Sequence, residues 1–203
     1  MMSASEYIPQ SAAPEPLRRA QVLAWGALAA LMLVWMALIV GAPFAEAHGY
    51  VAFAQVIYKA FDPLCHQLSE RSFHLEGHPF AVCARCTGLY AGLTAGIIFY
   101  PLARSLRRTD APSLVWLVLA AIPISVDWSL GFFGIWANTH LSRFLTGALL
   151  GVTGALFIVP GLMDMLRYFK HGVPEARREP EAARAVVPAR IAPSDYGSPS
   201  SRI

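Results

Sequence analysis

The chain has 203 residues, of which 56% are hydrophobic and only 14% charged, with a formal net charge of +3. A soluble domain carries roughly a quarter charged residues, so this composition excludes that class, and the gathering of apolar residues into blocks points to membrane spans. A small charge placed at segment ends argues against nucleic acid as a partner, and three cysteines are too few for a disulfide scaffold.

Met1 to Pro16 is polar and proline-bearing, and residues 1–20 are expected to form a disordered N-terminal tail. Arg18 and Arg19 precede the uncharged run Val22 to Val40, which makes roughly 28 Å of helix, close to the hydrocarbon thickness. Ala45-Glu46-Ala47 imitates a signal-peptide cleavage site. The apolar run exceeds the about 7–15 residues of such a leader, which favours a retained first helix. Tyr50 to Phe61 is apolar but too short to span and contains Lys59, as an amphipathic or interfacial helix would. Asp62-Pro63 breaks it.

A second span is expected over Val82 to Ala103, a third over Ser113 to Phe133 with Pro123 and Asp127 inside it, and a fourth over Phe144 to Leu166. Gly88, Gly92 and Gly96 recur along one face of the second span, and Gly147, Gly151 and Ala155 along one face of the fourth. Small residues at this spacing let helices approach closely, so these two spans are expected to pack together, and the same faces would permit a homo-oligomer. From Lys170 the composition turns to Pro, Ala, Arg and Glu, and 170–203 reads as a disordered tail. The expected fold class is therefore all-α: a polytopic membrane protein of four transmembrane helices plus the short helix. Its membrane domain is 21–169, with an outer loop at 41–81.

Lys and Arg near span ends set orientation. Arg18, Arg19, Arg104, Arg107, Arg108, Arg167, Lys170, Arg177 and Arg178 fall on one side, and Lys59, Arg71, Arg85 and Arg143 on the other. Nine against four places both termini in the cytoplasm of a cell (inner) membrane, with the lipid bilayer as the first partner. The stretch Cys65 to Gly88 then faces outward. Trp128, Phe132, Phe133 and Trp136 agree, gathering where the outer aromatic belt should lie.

That outer face collects the candidate site. Cys83-x-x-Cys86 brings two sulfurs to one face of a helix, and Cys65-His66 adds a third thiol and an imidazole. Three thiolates and one imidazole complete a tetrahedral set for zinc. His74 or His78 could replace His66, because adjacent residues make awkward joint ligands. The competing readings are a disulfide between Cys65 and one of the pair, favoured by oxidising surroundings, and inert packing cysteines. Asp127 inside a span costs at least about 2.5–3.5 kcal/mol to insert and needs a partner, which Arg143 or Arg85 could supply. With Arg71 and Asn138 these residues form a candidate polar pocket for a small anion or lipid head group, or a structural ion pair that sets helix register.

The combination Cys65-His66-Gln67, Arg71-Ser72-Phe73 and Val82-Cys83-Ala84-Arg85-Cys86-Thr87-Gly88, followed by Tyr90-x-Gly92, resembles a prokaryotic family of small predicted membrane proteins, known as domain of unknown function 2085. Asp127, Gly131, Asn138, Arg143 and Gly147 resemble its second block, so the likeness covers about Ala60 to Gly151. It implies an integral membrane protein and assigns no chemistry.

Three functions compete. One is a metal-binding membrane protein in which zinc clamps the outer loop beside the polar pocket. Another is a membrane thiol–disulfide oxidoreductase using Cys83 and Cys86, with Arg85 and a helix N-terminus lowering a thiol pKa; it lacks the second cysteine pair that such a relay uses. The third is a small transporter or channel subunit with Asp127 and Arg143 in the path.

Overall fold

The computed structural model describes residues 15–171. Of the tails expected at 1–20 and 170–203, residues 1–14 and 172–203 lie outside the described residues, whereas 15–20 and 170–171 are helical, as extensions of the adjoining spans. The elements are α1 (Glu15–Ala47), α2 (Val51–Phe61), β1 (His74–Leu75), β2 (His78–Pro79), α3 (Ala84–Ala103), α4 (Leu114–Phe132) and α5 (His140–His171). α1, α3, α4 and α5 are long and apolar enough to cross a membrane, and α2 is not. The protein is an all-α polytopic membrane protein. The described residues up to Arg167 form one compact unit. The described part of the second is the last turn of α5, where the Tyr168 and Phe169 rings stand edge to face at 5.9 Å.

Among the helix boundaries that differ from expectation, two have local reasons. α1 continues through Ala45-Glu46-Ala47, so the imitation cleavage site is helical. α5 starts four residues before Phe144, because Thr139 Oγ1 accepts the Ser142 N–H at 3.0 Å and closes the first turn. Between α2 and α3 a two-residue hairpin pairs His74 with Pro79 and Leu75 with His78. Glu76 and Gly77 both have positive φ, 52° and 86°, as a tight hairpin turn requires.

α3 and α5 run parallel with their backbones in direct contact. A Cβ at Gly88 would meet the Phe144 backbone, and one at Gly92 the Ala148 backbone. Gly147 and Gly151 answer against the carbonyls of Arg85 and Leu89. The expected pairing of these spans holds. The faces that would have served a homo-oligomer are consequently filled by the same chain.

α1 packs antiparallel to α3 through two apolar clusters at opposite ends of the bundle. One gathers Ile39, Ala42, Ile57, Phe61, Cys65, Ala81 and Val82. The other gathers Ala29, Ile97, Tyr100, Ala155, Val159 and Met163. Proline supplies the polar ties at both. Pro43 has no N–H, so the carbonyl of Ile39 one turn earlier loses its helical donor; it accepts the Ala81 N–H instead, at 3.3 Å. Pro101 likewise releases the carbonyl of Ile97, which accepts Trp25 Nε1–H at 2.8 Å. In hydrocarbon a freed carbonyl must find such a donor.

Trp25→Phe should therefore cost about 1–3 kcal/mol, by stranding the Ile97 carbonyl. In a Pro101→Ala background that carbonyl can bond within the helix, and the cost should fall clearly. Unfolding in detergent for the four proteins of this cycle checks it. Equal costs in both backgrounds would show that the proline does not control the tie.

Candidate functional site

The thiol end is built from the loop between α2 and α3. Trp35 of α1 stands edge-on to Phe61 (4.9 Å) and Tyr90 (5.7 Å), making a floor where α1, α2 and α3 meet. The chain leaves α2 through Asp62-Pro63 and drops Cys65 into this apolar junction, where it is buried. Gln67 adopts a left-handed backbone (φ 49°) and donates from Nε2 to the Tyr58 carbonyl at 2.6 Å; Tyr58 Oη donates to the Pro79 carbonyl at 2.7 Å. These bonds hold both strands of the loop to α2. Buried Ser72 donates to the Leu68 carbonyl at 3.0 Å, an internal turn bond.

Cys83 is the N-terminal cap of α3 and Cys86 lies in its first turn. The Sγ atoms of Cys65, Cys83 and Cys86 all lie within 4.8 Å of one another, and all three cysteines are free. The Cys83 N–H donates to Cys65 Sγ at 3.2 Å. The Cys65 and Cys86 thiols hold the Cys83 thiol well below its usual range, with the amides of Cys86 and Arg85 adding to this and burial opposing it. Thiolates favour such a setting, at the positive end of a helix among N–H and S–H donors. Tetrahedral zinc with sulfur at about 2.3 Å needs sulfurs roughly 3.8 Å apart, which small side-chain adjustments reach from this cluster.

The histidines stand apart from the thiols. His66 is exposed and outside the 4.8 Å group, although it follows Cys65 directly; consecutive side chains diverge, and Cys65 takes the buried direction. His74 Nε2 meets Ser69 Oγ at 3.0 Å. His78 Nδ1 lies 3.3 Å from Glu46 Oε2, and His48 Nδ1 lies 3.9 Å from Glu76 Oε2. The last two contacts tie the hairpin to the end of α1.

Beside the thiols lies a polar hub centred on Asp127. Its partner is Arg85, whose Nη2 donates to Oδ2. Ser142 Oγ donates to Oδ1 at 3.0 Å, and Asn138 Nδ2 donates to the Asp127 backbone carbonyl. The Asp127 side chain is only 10% exposed, so the ion pair is largely withdrawn from solvent. Arg143 is not the direct partner. It stands within electrostatic reach of Arg71, Arg85, Asp127 and Cys83, which joins the hub to the thiols. Arg85 Nε, Arg143 Nε and Asn138 Oδ1 are buried without a hydrogen-bond partner. Arg85 and Arg143 thus bring two guanidinium groups to one largely buried carboxylate, while Arg71 is exposed at the rim with its Nε 3.9 Å from Glu70 Oε1. Phe73 closes the side of the hub against His140 (5.7 Å) and Phe144 (5.9 Å).

The structure brings the thiols, Arg85, Asp127, Asn138 and Arg143 to one end of the bundle, together with Ser142, which the sequence reading does not single out. Its signal was available: Thr139-x-x-Ser142 is a capping pattern that turns the Ser142 hydroxyl to the start of α5. The Phe73–His140–Phe144 contact had no comparable signal, since loop and helix meet only in three dimensions.

A family described as predicted membrane protein (DUF2085) matches residues 65–157. The chain is 36% identical over 110 residues to Uncharacterized protein MJ1492 of Methanocaldococcus jannaschii, covering 54% of this chain and 70% of that one. It is 32% identical over 111 residues to an uncharacterized protein of Methanothermobacter thermautotrophicus, covering 55% of this chain and 91% of the other. No solved structure matches. The family match begins at Cys65 and ends within α5, so it contains all three thiols and the whole Asp127 hub.

Asp127→Leu should destabilise the protein by about 3–5 kcal/mol, because it leaves Arg85 charged and poorly solvated. Arg85→Met combined with Asp127→Leu should recover a large part of that loss. Unfolding midpoints of the single and double variants check it, and strictly additive losses would contradict a coupled pair.

Proposed function

We propose a metal-clamped outer site for this protein, from the premise that the chain belongs to the predicted membrane protein family DUF2085. The observation that carries the proposal is the meeting of three free thiols from two separate segments within 4.8 Å. Packing alone accounts for a buried Cys65. It does not account for three sulfurs converging where backbone N–H groups favour the thiolate.

In this reading Cys65, Cys83 and Cys86 hold one zinc ion, and a nitrogen or oxygen donor fills the fourth position. His66 follows Cys65 directly but is exposed and outside the thiol group, so the fourth position is open to water or to another donor. The metal fastens the loop before α3 to the N-terminus of α3 and holds Arg71 and Phe73 over the hub. Arg71, Arg85 and Arg143 then offer a small anion more positive charge than Asp127 and Glu70 neutralise, with the Nε–H groups of Arg85 and Arg143 still unpaired. The site lies on the outer face of the cell membrane, with both termini cytoplasmic, as the arginine distribution favours. No reaction step is needed for this role.

A second reading is favoured by the position of Cys83 as the cap of α3. There it is a thiol–disulfide oxidoreductase whose Cys83 thiolate attacks a partner disulfide and whose Cys86 resolves the mixed disulfide. A partner trapped covalently on a Cys86→Ser protein would favour this reading over the metal.

Elemental analysis of the purified protein, kept reduced and supplied with zinc, decides the metal proposal. The expected result is one zinc per chain, lost on Cys65→Ser, Cys83→Ser or Cys86→Ser. A ligand bound only by the folded state adds about 4 kcal/mol at a thousandfold excess over Kd, so chelation should lower Tm. Absence of stoichiometric metal under these conditions would end the proposal.

A further inference from the structure

At the opposite end of the bundle, the start of α1, the end of α3 and the residues just after it line an open cavity of about 500 Å³, within the size range of small-molecule sites. Arg18, Gln21, Arg104, Ser105 and Arg107 supply its polar lining, and Val22 and Leu102 are among the apolar residues on its wall. The candidate spans begin at Arg18 and end at Ala103, so this cavity sits level with the lipid head groups.

Its polar lining is rich in donors. Three guanidinium groups face it, and Asp110 offsets one of them by pairing with Arg104 at 2.8 Å. Arg107 is anchored from behind, because its backbone carbonyl accepts from Arg167 Nη2. Gln21 is the decisive residue. It is 1% exposed, and its Nε2 amide is buried with no acceptor. Such an orphaned donor costs about 1–3 kcal/mol. The positive-inside rule explains why arginines gather at this end; it does not explain a buried amide lining the same cavity without a partner. A ligand that brings acceptors and negative charge supplies what both lack. The apolar wall of Val22 and Leu102 continues onto the surface that faces lipid.

We propose that this cavity binds the phosphate of an anionic phospholipid, with Gln21 Nε2 donating to a phosphate oxygen, Arg18, Arg104 and Arg107 balancing its charge, and the acyl chains leaving along Val22 and Leu102. A basic pocket between helices at this level is the form that head-group sites take. The site is separate from the thiols and does not depend on the metal.

Native mass spectrometry of the full chain in detergent tests it, using dihexanoyl phosphatidylglycerol, dihexanoyl phosphatidylcholine and inorganic phosphate as probes. The expected result is saturable binding of one phosphatidylglycerol, roughly tenfold tighter than phosphatidylcholine and than inorganic phosphate. Gln21→Glu should weaken it roughly tenfold by replacing the donor with a carboxylate. Arg18→Gln should weaken it severalfold, whereas Arg108→Gln, exposed and outside the lining, should not. Should Gln21→Glu fail to fold, Arg18→Gln against Arg108→Gln decides. Equal affinity for the two lipids, undiminished binding by a folded Gln21→Glu protein, or equal losses from Arg18→Gln and Arg108→Gln would overturn the proposal. Inorganic phosphate binding as tightly as the lipid would overturn the lipid assignment in favour of a free ion.

Discussion

A polar group buried in hydrocarbon has no water to turn to, and most of what is particular about this protein follows from that constraint. Pro43 and Pro101 each remove a helical donor, and the carbonyls they free at Ile39 and Ile97 become the ties that join α1 to the loop and to α3. Asp127 in α4 is costly in isolation, and its carboxylate and carbonyl gather Arg85 from α3, Asn138 from the connection before α5 and Ser142 from the start of α5. Only Ala120 of α4 is fully buried, so this polar hub is the main fixed point of an otherwise lipid-facing helix. Polar residues that would be neutral on a soluble surface set the arrangement of helices here.

The glycine seam decides how near the parts of the site can come. With the backbones of α3 and α5 touching at Gly88, Gly92, Gly147 and Gly151, the first turns of both helices meet at one end. Arg85 on one then shares Asp127 with Ser142 on the other, and Arg143 comes within electrostatic reach of Arg85 and Cys83. A larger side chain at any of these glycines would separate the helices and open both the hub and the thiol site. The close-packing surface of these glycines is used within the chain.

Much of this was legible beforehand because it rests on periodicity and on cost. Apolar run lengths set the four spans, small-residue spacing paired α3 with α5, and the price of a charge in hydrocarbon demanded a partner for Asp127. The choice of Arg85 over Arg143 was not legible, because both lie at helix starts near the same level and only the crossing of α3 and α4 separates them. His66 illustrates a different limit. Adjacency to Cys65 made it an apparent ligand, but the chain buries the cysteine and sends the next side chain outward, so the thiols meet without it. The proline-freed carbonyls were missed although both prolines were visible, since the donors at Trp25 and Ala81 are distant in sequence. At the other end, the arginines read as topology signals, and only the buried Gln21 distinguished a cavity from a run of positive charge.

The central claim is that Cys65, Cys83 and Cys86 act as one site. X-ray absorption at the zinc edge of the reduced, zinc-loaded protein measures this directly, because sulfur and lighter ligands separate by distance. The account predicts three sulfurs at about 2.3 Å and one nitrogen or oxygen at about 2.0–2.2 Å. A shell of one sulfur or none would mean that the thiols meet for some other reason, and would contradict it.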